Sequence, residues 1–442
     1  MYSLLGESRV ESRERGTQYS VRPSSASSMT PSLRTGSSAS NPAGREIVEG
    51  LKQFVDREVV PLERAHESLL ADPRKMFGDD GAYSMEVREL LRSVRVASAD
   101  AGFYTMFAPS DVGGGGLGAV DFYLAWEFLH SYCGPERILP MQTIAHWASG
   151  PGPILRSFNS QQTVVAGALN SGEKIMCFAL SEPDAGSDIW NMTTRAVRNG
   201  DGWLISGTKQ WITNSPIADY LMVFAITDNE KKTAKAGGIS AFLIPADSPG
   251  FKVDSVIKLF GGIGSNEAIL SFSDVRVDTN NVVGEIDSGF KVAVDGVSLG
   301  RLFNAARCVG LATWAVDLAA EYAGVRRTFG QVIGDYQGVS FPIADSATEI
   351  YAARCMGLDA ARRIDQGEKA SLQVDMAKGY SVEVCHRVFD RAMQIHGGMG
   401  FTSEMRLYEG WHHSRILRVA DGSAEILRRN IARRVIRGDD FL

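Results

Sequence analysis

The chain has 442 residues, 44 % of them hydrophobic and 22 % charged, with a formal net charge of −6. That length suits about three domains with a sizeable core, and the acidic balance argues against nucleic acid as the main partner, which needs a basic face. No apolar run approaches the ~18 residues of a membrane span. Five scattered cysteines (Cys133, Cys177, Cys308, Cys355, Cys385), with no C-x-x-C or Cys/His cluster, point to a reduced compartment and no structural metal.

Residues 1–43 form a segment apart. Nine serines fall between Ser20 and Ser40, with few apolar residues, a composition that buries no core and predicts disorder. Abundant Arg and Ser also suit a mitochondrial transit peptide, whereas Glu7, Glu11 and Glu14 oppose one. The expected location is therefore the cytoplasm of a bacterium, with the mitochondrial matrix as the alternative.

Residues 44–172 read as an N-terminal helical domain. Ile47, Leu51, Phe54, Val55 and Val59 recur at helical spacing and Pro61 closes the run. Further helices are predicted over 85–96, 120–132, 141–146 and 154–162. The four glycines Gly113–Gly116 lack the Lys-Ser/Thr of a phosphate loop and read as a flexible turn.

Residues 173–283 read as a middle β domain. Its centre is the run Phe178 to Asn214. Pro183 halts regular structure, and Asp184–Asp188 follows as a loop of small, hydrogen-bonding residues. Asn199-Gly200-Asp201-Gly202 is a hairpin turn between strands at 194–197 and 203–206. Trp211 and Thr213 fall two positions apart on one strand face, able to stack on and hydrogen-bond a flat heterocycle; a plain core Trp is the alternative. Strands at 220–227, 239–245 and 268–277, with a solvated loop over 227–238, suggest a small antiparallel β-barrel or sandwich.

Residues 284–442 carry four long helical patterns, near 287–325, 340–366, 369–396 and 423–437. Helices of such length read as a C-terminal four-helix bundle. The whole is mostly α with a central β domain. His412 and His413, adjacent on a helix, point about 100° apart and make a poor metal pair, so they read as surface or interface residues.

The loop Ser181-Glu182-Pro183-Asp184-Ala185-Gly186-Ser187-Asp188 followed by Trp211-Ile212-Thr213-Asn214 resembles the acyl-CoA dehydrogenase family of FAD flavoproteins, over roughly residues 44–437. The resemblance implies that Phe178, Leu180 and Ser181 contact the flavin, that Trp211 and Thr213 pack on its ring, and that Ser187 lies along the acyl-CoA channel. Ser181 stands where the family usually has Thr, and Asp184 where a small residue is common. In Arg326-Arg327-Thr328-Phe329-Gly330, Arg326 and Phe329 match positions on the pyrophosphate and adenine side of FAD, and Gln337 matches a further contact. A guanidinium fork suits a pyrophosphate. Gln394 and Gly398 match positions that reach a neighbouring subunit's flavin, which implies a homo-oligomer, usually a dimer of dimers.

The family's base is a Glu before a Gly ahead of the last helix; here that position is Asp421, before Gly422. A second family position for the base falls on Gly300, before Arg301, so Asp421 is the candidate base. By the same resemblance Gly422 lets the thioester approach, Ser423 reaches the cofactor diphosphate, and Arg301 lies near the pantetheine channel. Asp421 also suits a helix N-cap. The implied function is α,β-dehydrogenation of an acyl-CoA to the trans-2-enoyl-CoA, as in fatty acid metabolism, with electrons passed to an electron-transferring flavoprotein. An oxidase of the same fold, such as a nitroalkane oxidase, and a non-catalytic DNA-binding flavoprotein are the rivals.

Overall fold

The structure, a computed structural model, describes residues 42–439. The expected disordered tail falls outside them except for Pro42 and Ala43, which open helix α1 (Pro42–Phe54). Proline is suited to that place because its missing N–H would be unpaired there anyway.

The N-terminal part is built on α1, α2 (Met85–Asp100) and α3 (Ala119–Cys133). Ser84 caps α2 by accepting the Val87 N–H at 3.4 Å. Pro61 does not close the first run as expected. A π-helical turn, Val55–Val59, shifts the register, and a short helix Val60–Ala65 resumes with Pro61 in its first turn, where it costs no hydrogen bond. The helices expected over 141–146 and 154–162 are absent. Proline-started 3₁₀ turns, Pro140–Gln142 and Pro153–Ser157, stand there, and the helix comes later as α4 (Thr163–Asn170). The four-glycine turn is packed rather than flexible. A Cβ on Gly114 would meet the Ala108 carbonyl oxygen at 2.1 Å, so only glycine fits against that backbone.

The middle part contains β1 (Met176–Ala179), β2 (Arg195–Asn199), β3 (Gly202–Thr213), β4 (Tyr220–Ile226), β5 (Ile239–Pro245), β6 (Phe251–Val256), β7 (Glu267–Val277) and β8 (Val282–Val283). The strand order is β6-β7-β3-β2-β4-β5-β8, with β1 on β4. It is not purely antiparallel: β1 runs parallel to β4, and β2 meets β4 through the single parallel pair Arg195–Ile226. That thin junction folds the sheet into two leaves. Between them lies a core of Trp203, Ile205, Leu221, Val223, Phe242, Ile244, Leu270 and Phe272. The predicted hairpin is present, with Asn199 opposite Gly202 and Gly200 at φ 60°. The 227–238 loop holds one short helix, Asn229–Thr233, capped by Asp228.

Helices α5 (Gly289–Val325), α6 (Gln337–Asp365) and α7 (Ser371–His396) pack on one another, and α9 (Ala424–Arg437) packs on α7. Helix α8 (Leu407–Leu417) was not foreseen, and α3 from the N-terminal part packs against α5. His412 and His413 are half-buried on α8. His412 stacks on Phe260 at 4.0 Å, and the His413 Nδ1 faces the Arg307 guanidinium at 3.3 Å.

One ion pair joins the 181–188 loop to β3. The Lys209 ammonium donates to Glu182 at 2.8 Å and to the Leu180 carbonyl at 3.0 Å. Glu182 also accepts from Thr193 N–H at 2.6 Å and Thr194 N–H at 3.1 Å. Their side chains are 0 % and 2 % exposed. Burial pulls Lys209 down to about 8, opposed by the Glu182 charge. Burial would raise Glu182, but the Lys209 charge and the hydrogen bonds outweigh it and hold the carboxyl below its usual range. Substituting Lys209→Met leaves a buried, unpaired carboxylate and is expected to cost about 3–5 kcal/mol in urea unfolding. The double variant Glu182→Gln, Lys209→Met should recover part of that loss.

Candidate active site

The end of β3 is distorted in a way that matters. The β3–β7 register shifts between Lys209 and Ile212, and Trp211 sits at φ 64°. The bulge turns Ile212 into the core and leaves the Trp211 indole 53 % exposed, so the core-Trp alternative is set aside. Thr213 is also exposed, its hydroxyl 3.4 Å from Glu267 Oε1. Beside this strand, the Gln210 N–H donates to the Ser181 carbonyl at 2.9 Å. The Lys209–Glu182 pair and this bond hold Leu180 and Ser181 against β3. Ser187 lies exposed further along the loop, and Asp184 is exposed with its carbonyl accepting from Asn191 at 3.0 Å.

The turn before α9 is strained and braced. Asp421 has φ 53° and Gly422 φ 97°. A non-glycine residue in the left-handed region needs surroundings that over-determine it. They are present: the Lys378 ammonium, wholly buried on α7, donates to the carbonyls of Ala420 and Gly422 at 2.7 Å each. Arg301 Nε donates to the Asp421 carbonyl at 3.0 Å, and its guanidinium pairs with Asp375 at 2.8 Å. Asn430 from α9 donates to the same Asp375 at 3.2 Å. The helix is capped by Ser423, whose Oγ accepts the Ile426 N–H at 3.4 Å, so Asp421 is not the N-cap.

That frees the Asp421 carboxylate. Its Oδ2 accepts from Asn304 Nδ2 at 2.7 Å, and it remains half-buried. Burial raises its pKa, opposed by the Lys378 charge, the Asn304 hydrogen bond, and the Arg307 and Arg301 charges. The Asp421 N–H has no acceptor among the described residues. Lys378 is pulled down to about 8 by burial, opposed by Asp421.

Trp147 connects this turn to the β domain. A Cβ on Gly300 would lie 2.7 Å from the Trp147 indole and 2.9 Å from Asp421 Oδ2. One turn earlier on α5, a Cβ on Gly296 would lie 3.2 Å from Trp147 and 3.4 Å from Phe178. The two glycines form a flat lane on which the indole rests, with Asp421 at one end and Phe178 at the other. The Phe178 and Trp147 ring centroids are 5.2 Å apart. Trp147 is 8 % exposed and its Nε1 has no hydrogen-bond partner.

The structure thus brings Phe178, Leu180, Ser181, Trp211 and Thr213 together around the end of β3, and Asp421, Gly422, Ser423 and Arg301 together around the turn. It does not bring the rest there. Arg326, Phe329, Gln337, Gln394 and Gly398 are all exposed, Phe329 at 97 %. The Tyr322–His396 stack, 4.5 Å between centroids, joins the C-terminal ends of α5 and α7 where Arg326 and Gln394 lie. From Arg301 to that end is about 25 residues of α5, roughly 37 Å at 1.5 Å per residue.

Sequence reasoning missed Trp147, Asn304, Lys378, Asp375, Glu182 and Lys209. The available signal was weak: Lys209 and Lys378 are lysines amid apolar neighbours on a strand and a helix, and Gly296 and Gly300 share one helical face.

A flat, half-exposed indole with the exposed Thr213 hydroxyl two residues on fits a flavin ring. An unpartnered buried indole N–H further in, and a carboxylate with an open N–H, fit a polar substrate lying between.

Comparison with known proteins agrees. Residues 177–275 match the acyl-CoA dehydrogenase middle domain and residues 287–436 the acyl-CoA dehydrogenase C-terminal domain. The chain is 35 % identical to the human mitochondrial short-chain specific acyl-CoA dehydrogenase over 88 % of its length and 89 % of that protein. It is 33 % identical to the caffeyl-CoA reductase–Etf complex subunit CarC of Acetobacterium woodii, covering 74 % of this chain and 85 % of that one. The structure of butyryl-CoA dehydrogenase from Megasphaera elsdenii superposes with a TM-score of 0.74 at 27 % identity, over 90 % of this chain and 98 % of that one. The chain belongs to the acyl-CoA dehydrogenase family and is an oxidoreductase of that type.

Proposed function

We propose that the protein is an FAD-dependent dehydrogenase of an acyl-CoA thioester in which Asp421 removes the α-proton. The observation that carries this reading is the braced left-handed turn, which presents a carboxylate of raised pKa onto the glycine lane facing Trp147 and Phe178. FAD held by Phe178, Leu180, Ser181, Trp211 and Thr213 supplies the acceptor for the β-hydride.

The chain's own groups account for the rest. Asp421 is shorter than the family's Glu by one methylene. Asn304 and the Lys378-braced backbone position the shorter side chain, since a 1 Å misplacement costs on the order of 10²-fold in rate. Burial moves the carboxyl upward, towards the range where a general base is efficient, and the Lys378 charge opposes that shift in favour of the ionised form. The free Asp421 N–H is placed to receive the thioester carbonyl and stabilise charge as the α-proton leaves. Gly422 leaves room for that approach, and Ser187 and Arg301 line the way in. The Trp147 indole packs on Gly300, which leaves no room there for a side chain that could replace Asp421 as base.

The distance along α5 supports a homo-oligomer. Arg326, exposed at the far end of α5 with Phe329, Gln337, Gln394 and Gly398, lies roughly 37 Å from Arg301, so these residues would serve the FAD of a neighbouring subunit, and Ser423 would reach the diphosphate of its own. Electron transfer to an electron-transferring flavoprotein is supported by the relative named as part of an Etf complex.

Five outcomes test this. Asp421→Asn should retain bound FAD yet lose at least 10³-fold in the rate of flavin bleaching by acyl-CoA; unimpaired bleaching removes Asp421 as base. The kcat/KM of the wild type should rise with pH through a limb above the usual Asp value of 3.8, because only the ionised carboxylate accepts the proton. Lys378→Met should move that limb further up, since it removes the cation that favours ionisation. Gly300→Ala drives a methyl into Trp147 and Asp421 and should cost 10- to 100-fold in kcat with FAD content unchanged. Rapid re-oxidation of the reduced flavin by air, with peroxide formed, would reassign the protein as an oxidase.

A further inference from the structure

A cavity of about 470 Å³ lies at the N-terminus of α7, away from the residues assigned above, and is lined by Arg363, Lys369, Ser371, Gln373, Arg434 and Arg437 among others. Its charge is unbalanced. Of two lining carboxylates, Glu368 already faces Arg363 at 3.5 Å, leaving Asp439 against Lys369, Arg434 and Arg437. Lys369 and Arg437 form no ion pair among the described residues, and Arg434 is held only by donating to Ser371 Oγ at 2.7 Å.

Three further features face the same space. Helix α7 has 26 residues, no side-chain cap at Ala370 and no acidic residue in its first turn. The N–H groups of Ser371, Leu372 and Gln373 have no acceptor. Gln373 is 9 % exposed, and its carboxamide has no partner among the described residues. Gln373 is thus mostly buried, yet it lines the cavity and keeps an unpartnered carboxamide for a ligand there.

We propose that this cavity binds a small phosphate-bearing anion. Open helix N–H groups with the positive end of a long helix dipole suit phosphate oxygens. The Arg434 and Arg437 forks and the Lys369 ammonium add charge-assisted hydrogen bonds, and Gln373 supplies a neutral donor. The volume suits a molecule larger than a bare ion. The site is independent of the dehydrogenase reading, though Lys378, which braces Asp421, follows Gln373 by only five residues on α7.

Inorganic phosphate and ADP serve as probes, titrated calorimetrically into the full chain saturated with FAD, so that the flavin site cannot take up ADP. Saturable binding of at least one probe, near one equivalent per chain, is expected. Lys369→Gln with Arg437→Gln should weaken it at least tenfold while the visible spectrum of bound flavin stays unchanged. A probe-induced rise in Tm should shrink in parallel. ADP at least tenfold tighter than phosphate assigns a nucleotide; ADP no tighter than that assigns free phosphate. Failure of both probes to saturate, or equal affinities in wild type and double variant, overturns the proposal.

Discussion

One buried ammonium clamps the turn at the centre of the candidate active site. Lys378 reaches from α7 to two carbonyls that flank residue 421, and so clamps a left-handed turn that aspartate adopts only under constraint. The same charge sits close enough to oppose the upward pull of burial on the Asp421 carboxyl. One side chain therefore acts on both the position of the carboxyl and its protonation. Arg301 and Asp375 complete the brace, and Asn430 ties it back to the helix that the turn introduces.

A second ion pair does the matching work on the opposite wall. Lys209 and Glu182 lie deep in the β domain, and the pair draws the Leu180 carbonyl and the 181–188 loop onto β3. Such a pair gains little over apolar packing in net stability, since both ions lose their hydration. Its value lies in the path it sets for the loop, next to a bulge that turns Trp211 outward. Between these two walls, Gly296 and Gly300 remove two side chains from α5, and Trp147 occupies the space they leave.

The length of α5 is what motivates the proposal of a homo-oligomer. Arg301 and Arg326 stand about 25 residues apart along this 37-residue helix, roughly 37 Å at 1.5 Å per residue, a long reach for one dinucleotide. An apolar ring as bare as Phe329 at the far end is also an unusual feature of a finished surface, and suits burial against a second chain.

Much of this was open to sequence reasoning. Helical periodicity located α2, α3, α5, α6 and α7, because each buries one face over several turns, and Asn199-Gly200-Asp201-Gly202 marked its hairpin through local turn chemistry. The motifs around Ser181, Trp211 and Asp421 identified the family. Reasoning failed where proline dominated a short apolar run: Pro140 and Pro153 begin 3₁₀ turns, not helices, and Pro61 sits inside a continuing one. What the chain alone determined was which segments are helix or strand and which residue types are available for chemistry, since both follow from neighbours in sequence. Tertiary structure decided that Ser423 rather than Asp421 caps α9, that Lys378 and Asn304 hold the carboxylate, and that Trp147 lies between it and Phe178. The Lys378 and Asn304 contacts join residues more than 40 positions apart, and no local pattern encodes which distant group will fill a glycine's space or satisfy a strained carbonyl.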